Sequence, residues 1–267
     1  MLTFQDSGHL YSSLPGEESI NWISVSTLIH SLCPIFDAPV SAAKCTKNSK
    51  SKWFKIPVPE ILQAWENENK RSTDLGSWYH SVKENELLIF GKNVIAPIIK
   101  EGIKYAPKQT LESGIYPEHL MYLQSIGLCG QSDIVEIEDN ILTIRDHKTN
   151  KEIKKQAFTS SYTGEEKMLS PLSHLGNCNY NHYALQLSLY AYMILKHNPQ
   201  FKLNKLQVEH VTFEEEGVDK YGYPIAKLVG GEPVVKGVEI IEVPYMKSEV
   251  LVLIEYLKKN KNKLIKH

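Results

Sequence analysis

Arginine is nearly absent from this chain. Of its 30 basic residues, 28 are lysine, and only Arg71 and Arg145 are arginine. Base reading in the major groove leans on bidentate arginine–guanine contacts, whereas lysine acts on phosphate as a point charge. Any nucleic-acid contact is therefore expected with the backbone, not with base sequence. Cysteine is scarce too: four residues, Cys33, Cys45, Cys129 and Cys178, with no C-x-x-C pair. That disfavours a structural zinc site and an iron–sulfur cluster, which draw on closely spaced ligands. Reduced, mostly buried thiols are expected instead. No apolar run approaches the roughly 20 residues that span a bilayer, so no membrane partner is expected. The start, Met1-Leu2-Thr3-Phe4-Gln5-Asp6, has neither the basic nor the apolar region of a signal peptide. A cytoplasmic location is the expectation. Net charge is only −1, so attraction to a polyanion has to come from local patches. Internal repeats and low-complexity tracts are missing as well.

What is present is an ordinary globular balance, 42% hydrophobic and 23% charged, which suits one large folded unit or two small ones. Ser24 can cap a short helix in which Val25, Leu28, Ile29 and Leu32 share a face, ended by Pro34. Residues 41–55 carry Lys44, Lys47, Lys50, Lys52 and Lys55 around Trp53 and Phe54. The plainer reading is a solvated mobile loop; the other is a phosphate-tracking arm with aromatics to stack on. Helices are predicted over 60–70 and 74–90, the second capped by Ser72, Thr73 or Asp74. Alternation predicts strands near 117–124, 128–138 and 141–149. A buried helix is expected over 181–197, stopped by Asn198-Pro199. Strands near 206–214, 222–229 and 237–243 and a helix over 248–264, capped by Ser248 and running into a lysine-rich tail, complete the reading.

The chemistry concentrates in one predicted hairpin. If Asp139-Asn140 is a two-residue turn, Glu138 pairs with Ile141 and Asp133 falls opposite Asp146. Directly opposed residues have Cβ atoms about 4.5–5.5 Å apart. Lys148, two residues beyond Asp146, points to the same face. Opposed carboxylates destabilise a sheet, and a hard divalent cation resolves the conflict by taking oxygen ligands from both. The ammonium can then hold water and stabilise charge building on a phosphate. A surface hairpin with a Lys148 salt bridge is the bland alternative.

Taken in order, Gly130-x-x-Asp133, Asp146-x-Lys148-Thr149 and Gln186-x-x-x-Tyr190 resemble the signature of RecB-like PD-(D/E)XK nucleases. Gly76-Ser77-x-x-His80-x-x-x-Glu84 resembles that family's G-T-x-x-H-x-x-x-E helix, with Gly76 letting the helix approach the sheet closely. Ile23-Ser24-Val25-Ser26-Thr27 is similar to the opening of its phage-type exonucleases and of the mitochondrial genome maintenance exonuclease. The likeness covers residues 20–215 or so. It implies an α/β fold with a restriction-endonuclease-like αβββαβ core, a central mixed sheet flanked by helices. Residues 71–214 would form that core, 1–70 an N-terminal helical extension and 215–267 a C-terminal strand–helix extension of the same domain.

The resemblance also implies roles. Asp133, Asp146 and Lys148 would be catalytic. His80 would bind metal beside the two aspartates, and the backbone carbonyl of His147 could be a further ligand, its side chain pointing to the opposite face. Gln186 would orient the lysine or a phosphate, supported by Tyr190. An acidic residue often precedes the G-x-x-D motif; Glu118 is the choice and Glu112 the rival. One or two Mg²⁺ or Mn²⁺ ions are expected, the imidazole tilting the set toward accepting Mn²⁺, and no iron–sulfur cluster. Lys151, Lys154 and Lys155, just after the catalytic strand, are best placed for a phosphate backbone. The expected function is a sequence-nonspecific exonuclease on single- or double-stranded DNA with free ends, in replication, recombination or repair, with a phage origin suggested. The rivals are a structure-selective or sequence-specific endonuclease, an inactive nucleic-acid-binding protein of the same fold, and a metal-binding protein that is no nuclease.

Overall fold

The computed structural model describes residues 1–5, 8–14, 16, 19–106, 109–160 and 164–264. The chain opens with a hairpin, β1 (Leu2–Gln5) and β2 (Leu10–Ser13), and β3 (Ile23–Ser24) runs straight into α1 (Val25–His30). Ser24 caps α1 as expected, its Oγ accepting the Thr27 amide at 3.0 Å. Next come α2 (Ala38–Cys45), capped by Asp37, and α3 (Val58–Phe90). The short strands β4 (Ile98–Lys100) and β5 (Ile103–Tyr105) join the first hairpin in a separate sheet, ordered β2-β1-β5-β4.

A meander follows: β6 (Gly114–Leu123), β7 (Leu128–Glu138) and β8 (Ile141–Lys148). Asp139 and Asn140 have φ of 48° and 65°, the left-handed pair that a type I′ hairpin turn requires. Glu138 pairs with Ile141, and Ile134 with Arg145, the register expected from the turn. After the small hairpin of β9 (Thr159–Ser160) and β10 (Gly164–Glu165), α4 (Asn179–His197) crosses over to β11 (Lys202–Phe213), which lies parallel to β8. Two more small hairpins follow, β12 (Glu215–Val218) with β13 (Pro224–Ala226) and β14 (Leu228–Val229) with β15 (Glu232–Pro233). Then β16 (Val235–Val243) pairs antiparallel with β11, and α5 (Lys247–Leu264) closes the described chain.

The central sheet is mixed, ordered β16-β11-β8-β7-β3, with β6 on the other side of β7. Its core unites α1, α4 and α5 with one face: Leu142, Ile144, Val135 and Ile137 pack with Leu28, Leu185, Leu189 and Leu253. On the other face, Tyr79 of α3 meets the His147 ring edge-on at 5.3 Å. The fold is thus α/β, a mixed sheet flanked by helices; with the short strands β4, β5, β9 and β10 set aside, the order from α3 to β11 is helix, three strands, helix, strand.

Three expectations change. The helices read over 60–70 and 74–90 are one, because the polar residues between them serve its interior: Thr73 Oγ1 donates back to the Asn69 carbonyl at 2.9 Å, and Lys70 pairs with Asp74 at 2.6 Å. The boundary placed at residue 70 therefore falls inside α3. The first 70 residues are not only helical, since β1 pairs across that boundary with β5. Residues 41–55 are not a loose loop, since α2 and the turns after it bury Trp53. Of the lysine-rich tail, Lys266 lies outside the described residues.

Candidate active site

The cleft forms where, among the described residues, a stretch of β7 has no paired strand on one side. Pairing with β8 ends at Ile134, and pairing with β3 covers only Leu128 and Cys129. The residues between, 130–133, are the Gly130-x-x-Asp133 motif. Asp133 bridges the gap with its side chain: Oδ2 accepts the His147 amide at 2.5 Å. Its Oδ1 faces His80 Nδ1 of α3 at 3.2 Å. Glu118, on β6, holds φ at 47° inside a strand, a left-handed conformation costing about 1–3 kcal/mol for a residue other than glycine. One Glu118 oxygen stands 3.9 Å from the same His80 nitrogen. The other accepts the Gln131 side-chain amide and lies 3.8 Å from the Lys104 ammonium.

One ligand atom each from His80, Glu118 and Asp133 lie within 4.8 Å of one another. Asp146 stands outside that trio, 2% exposed, with its Oδ2 against the Lys148 ammonium. Lys148 Nζ also lies 5.0 Å from the Tyr183 ring, whose hydroxyl donates to Asn150. Gln186 donates to the Tyr190 hydroxyl at 3.0 Å. His80, Glu118, Gln131, Asp133, Asp146, Lys148, Gln186 and Tyr190 line one cleft of about 240 Å³, which His9, Tyr11, Ser24 and Ser26 also line.

Burial works against every charge in the cleft, and the partners decide the outcome. Burial lowers the pKa of His80, yet the hydrogen bond and charge of Asp133 carry it up to about 10. Burial raises that of Asp133, yet His80, with Lys148 behind it, holds it near about 2. Those two form an ion pair. For Glu118 burial wins, and its pKa is raised despite His80 and Lys104. Asp146 is likewise raised, chiefly by burial, with Lys148 opposing and Asp133 reinforcing the shift. Lys148 itself is raised: burial disfavours its charge, but Asp146 and Asp133 outweigh it.

Of the residues singled out in the sequence, His80, Glu118, Asp133, Asp146, Lys148, Gln186 and Tyr190 meet at this cleft. The His147 ring turns to the opposite face, where Nδ1 meets Glu209 at 2.9 Å. Glu112 is elsewhere, its amide and carbonyl both tied to the Tyr116 hydroxyl at 2.9 Å. Lys151, Lys154 and Lys155 lie beyond the end of β8, Lys155 Nζ 5.7 Å from the Tyr180 ring. Sequence reasoning missed Lys104, Gln131 and Tyr183. Lys104 carries no signal, because it arrives from a strand of the other sheet. Gln131 sits at an unspecified position of the G-x-x-D motif, and Tyr183 lies one helical turn before Gln186.

Two glycines permit the approach of helices to the strands. A Cβ at Gly76 would lie 3.1 Å from Thr149 Oγ1, and one at Gly130 would lie 2.5 Å from Tyr190 Cε1. The Gly130→Val protein is therefore expected to lose about 1–3 kcal/mol of stability through overpacking. Urea denaturation reads this directly, and adding Tyr190→Leu, which removes the obstructing ring, should recover part of the loss. An unchanged midpoint for Gly130→Val would place the Tyr190 ring elsewhere.

No family profile and no curated protein matches this chain. Among solved structures, a crystal structure of a "putative exonuclease" from Eubacterium rectale is similar over 91% of this chain and 80% of that one, at 9% identity and a TM-score of 0.31. A likeness that loose does not bear on the chemistry of the cleft.

Proposed function

We propose that this chain is a metal-dependent deoxyribonuclease of the RecB-like PD-(D/E)XK type, degrading DNA from free ends without reading its sequence. The observation that carries the reading is the convergence of His80, Glu118, Asp133, Asp146 and Lys148 from α3, β6, β7 and β8 on one cleft. Burial raises the pKa of Glu118 and of Asp146 even with Lys104 and Lys148 beside them, so a hard cation in the cleft would favour their ionised forms. One nitrogen among several oxygens suits Mg²⁺ or Mn²⁺. His80, Glu118 and Asp133 would hold the ion, with Asp146 beside them. When bound, it polarises a phosphoryl oxygen and lowers the pKa of water.

The chain's own groups do the rest. Lys148 keeps its proton at Nζ and stabilises negative charge developing on a phosphate oxygen. Asp146 holds that ammonium in the cleft. The Gln186–Tyr190 pair packs beneath Gly130 and keeps the opened strand in place. Lys151, Lys154 and Lys155 offer their ammonium groups to the phosphates beyond the scissile bond. With arginine all but absent, these contacts favour backbone over base.

The test is cleavage of end-labelled linear single- and double-stranded DNA beside a closed circle, with Mg²⁺, with Mn²⁺ and with EDTA. Metal-dependent shortening of linear DNA with circles spared is the expected result. Cut circles would make it an endonuclease. Binding without cleavage in either metal would leave an inactive nucleic-acid-binding protein.

A further inference from the structure

Between Asp37 and Glu60 the chain has no acidic residue but five lysines, Lys44, Lys47, Lys50, Lys52 and Lys55, all exposed. The stretch is an ordered module. It packs on the first turns of α3 through Ala42, Trp53, Ile61 and Ala64. Thr46 Oγ1 donates to the Ile56 carbonyl at 2.6 Å, and the Lys55 amide donates to the Thr46 carbonyl at 2.9 Å, closing its base. Trp53 anchors it, edge-on to Trp65 and tilted against Tyr221. Lys52 serves that anchor, donating to the Tyr221 carbonyl at 2.9 Å. The flanking carboxylates are occupied: Asp37 accepts the Val40 amide, and Glu60 takes the Tyr221 hydroxyl and the Lys220 ammonium.

Lys44, Lys47, Lys50 and Lys55 make no ion pair among the described residues. Beside them, aromatic faces are open to solvent. Phe36 is 69% exposed and braced 5.8 Å from the Trp65 ring. Phe54 is 38% exposed, with Lys55 Nζ 5.2 Å above it. Exposed cations close in sequence and exposed rings on a packed base answer a partner that carries regular negative charge and flat apolar faces. An unpaired nucleic-acid strand has both.

We propose that this module docks the single-stranded part of a nucleic-acid substrate, with phosphates on Lys44, Lys47, Lys50 and Lys55 and bases on Phe36 and Phe54. Its relation to the cleft rests on the nuclease reading; its affinity for the strand does not. Ile61, beneath the module, and His80, in the cleft, are 19 residues apart on α3, about 28 Å at the helical rise. At about 3.4 Å per stacked nucleotide, a strand needs about eight nucleotides to reach from one to the other.

The experiment is fluorescence anisotropy of the full chain with labelled oligothymidylates of 30 and 5 nucleotides, in EDTA, over a salt series. The variants are the Lys44→Glu, Lys47→Glu, Lys50→Glu, Lys55→Glu quadruple and Phe36→Ala, all at exposed positions. The quadruple should weaken binding of the long strand tenfold or more and reduce its salt slope by about 3, at about 0.7 for each phosphate no longer neutralised. Phe36→Ala should weaken the long strand with the slope kept. The short strand, which can occupy the module but cannot reach the cleft, should bind more weakly than the long one and should also lose affinity in both variants. Unchanged affinity for the long strand overturns the proposal. So does a quadruple that keeps its DNA affinity while losing affinity for phosphatidylserine vesicles. A wild type that binds the long strand through these lysines, yet cleaves nothing with Mg²⁺ or Mn²⁺, leaves the docking surface standing and removes the nuclease reading.

Discussion

In EDTA, the Lys148→Met protein is expected to unfold at lower urea than wild type; added Mn²⁺ should restore its stability, while the cleavage that the proposed nuclease function calls for should stay about 10²–10³-fold down. The reason lies in the Asp146–Lys148 pair. Asp146 is buried, and among the described residues its Oδ2 pairs with the Lys148 ammonium. Removing one partner of a buried ion pair typically destabilises by about 3–5 kcal/mol, because the other charge is left alone. Two things reduce that loss. Asp146 already has a raised pKa from burial, with Lys148 opposing the rise. Without the ammonium it rises further, so protonation relieves the carboxylate at low pH, and the loss should be smaller at pH 5 than at pH 7. A divalent cation in the cleft supplies the missing positive charge from the other side. It cannot supply the ammonium's proton. The two measurements therefore separate the structural role of Lys148 from the chemical one. Cleavage that returned with Mn²⁺ would reduce Lys148 to a structural partner, and unchanged stability in EDTA would mean that Asp146 does not depend on it.

The hairpin that carries Asp133, Asp146 and Lys148 was legible because its register follows from local rules. Two turn residues fix which positions oppose, and period-two alternation puts Asp146 and Lys148 on one face. The structure adds what no local rule contains. Strand β7 is held by β8 at one end and by β3 at the other, and the gap between them opens the cleft at Asp133. That gap depends on β3, a two-residue strand from a hundred residues upstream. The part of Glu118 had the same difficulty. Its residue type raised the expectation, but its left-handed backbone, which faces it toward His80, depends on β6 pairing with β7 on both sides of it. Helix α3 misled for the opposite reason. Ser72, Thr73 and Asp74 have the composition of a cap, and tertiary packing on both halves of the helix overrides it. Lys104 was invisible because its strand belongs to a sheet that the hydrophobic pattern of residues 1–70 did not announce.

At His80, pH, stability and metal should be coupled, with opposite signs in the absence and presence of metal. In the metal-free protein its pKa stands at about 10, above the ordinary 6.5. A raised value means that the Asp133 pair contributes in full below about 6.5 and is lost as pH climbs toward 10. Asp133, held near 2, contributes above the ordinary carboxylate range and fails only in strong acid. Stability in EDTA should therefore fall between pH 7 and pH 9. The effect should be modest, because the His80 side chain is 33% exposed and partly screened. Metal affinity is the sharper readout. A cation that takes the place of the proton between His80 and Asp133 binds more tightly as protons become scarce. Its apparent affinity should rise about tenfold per pH unit, or about a hundredfold from pH 7 to pH 9. Titration calorimetry with Mn²⁺ in buffers of different ionisation enthalpy would count the proton released. His80→Ala should weaken binding at pH 9 and flatten the dependence above pH 7. A wild-type affinity that did not change over this range would mean that the cation leaves the His80–Asp133 pair intact, and the ligand set would then have to be sought around Asp146 and Glu118 instead.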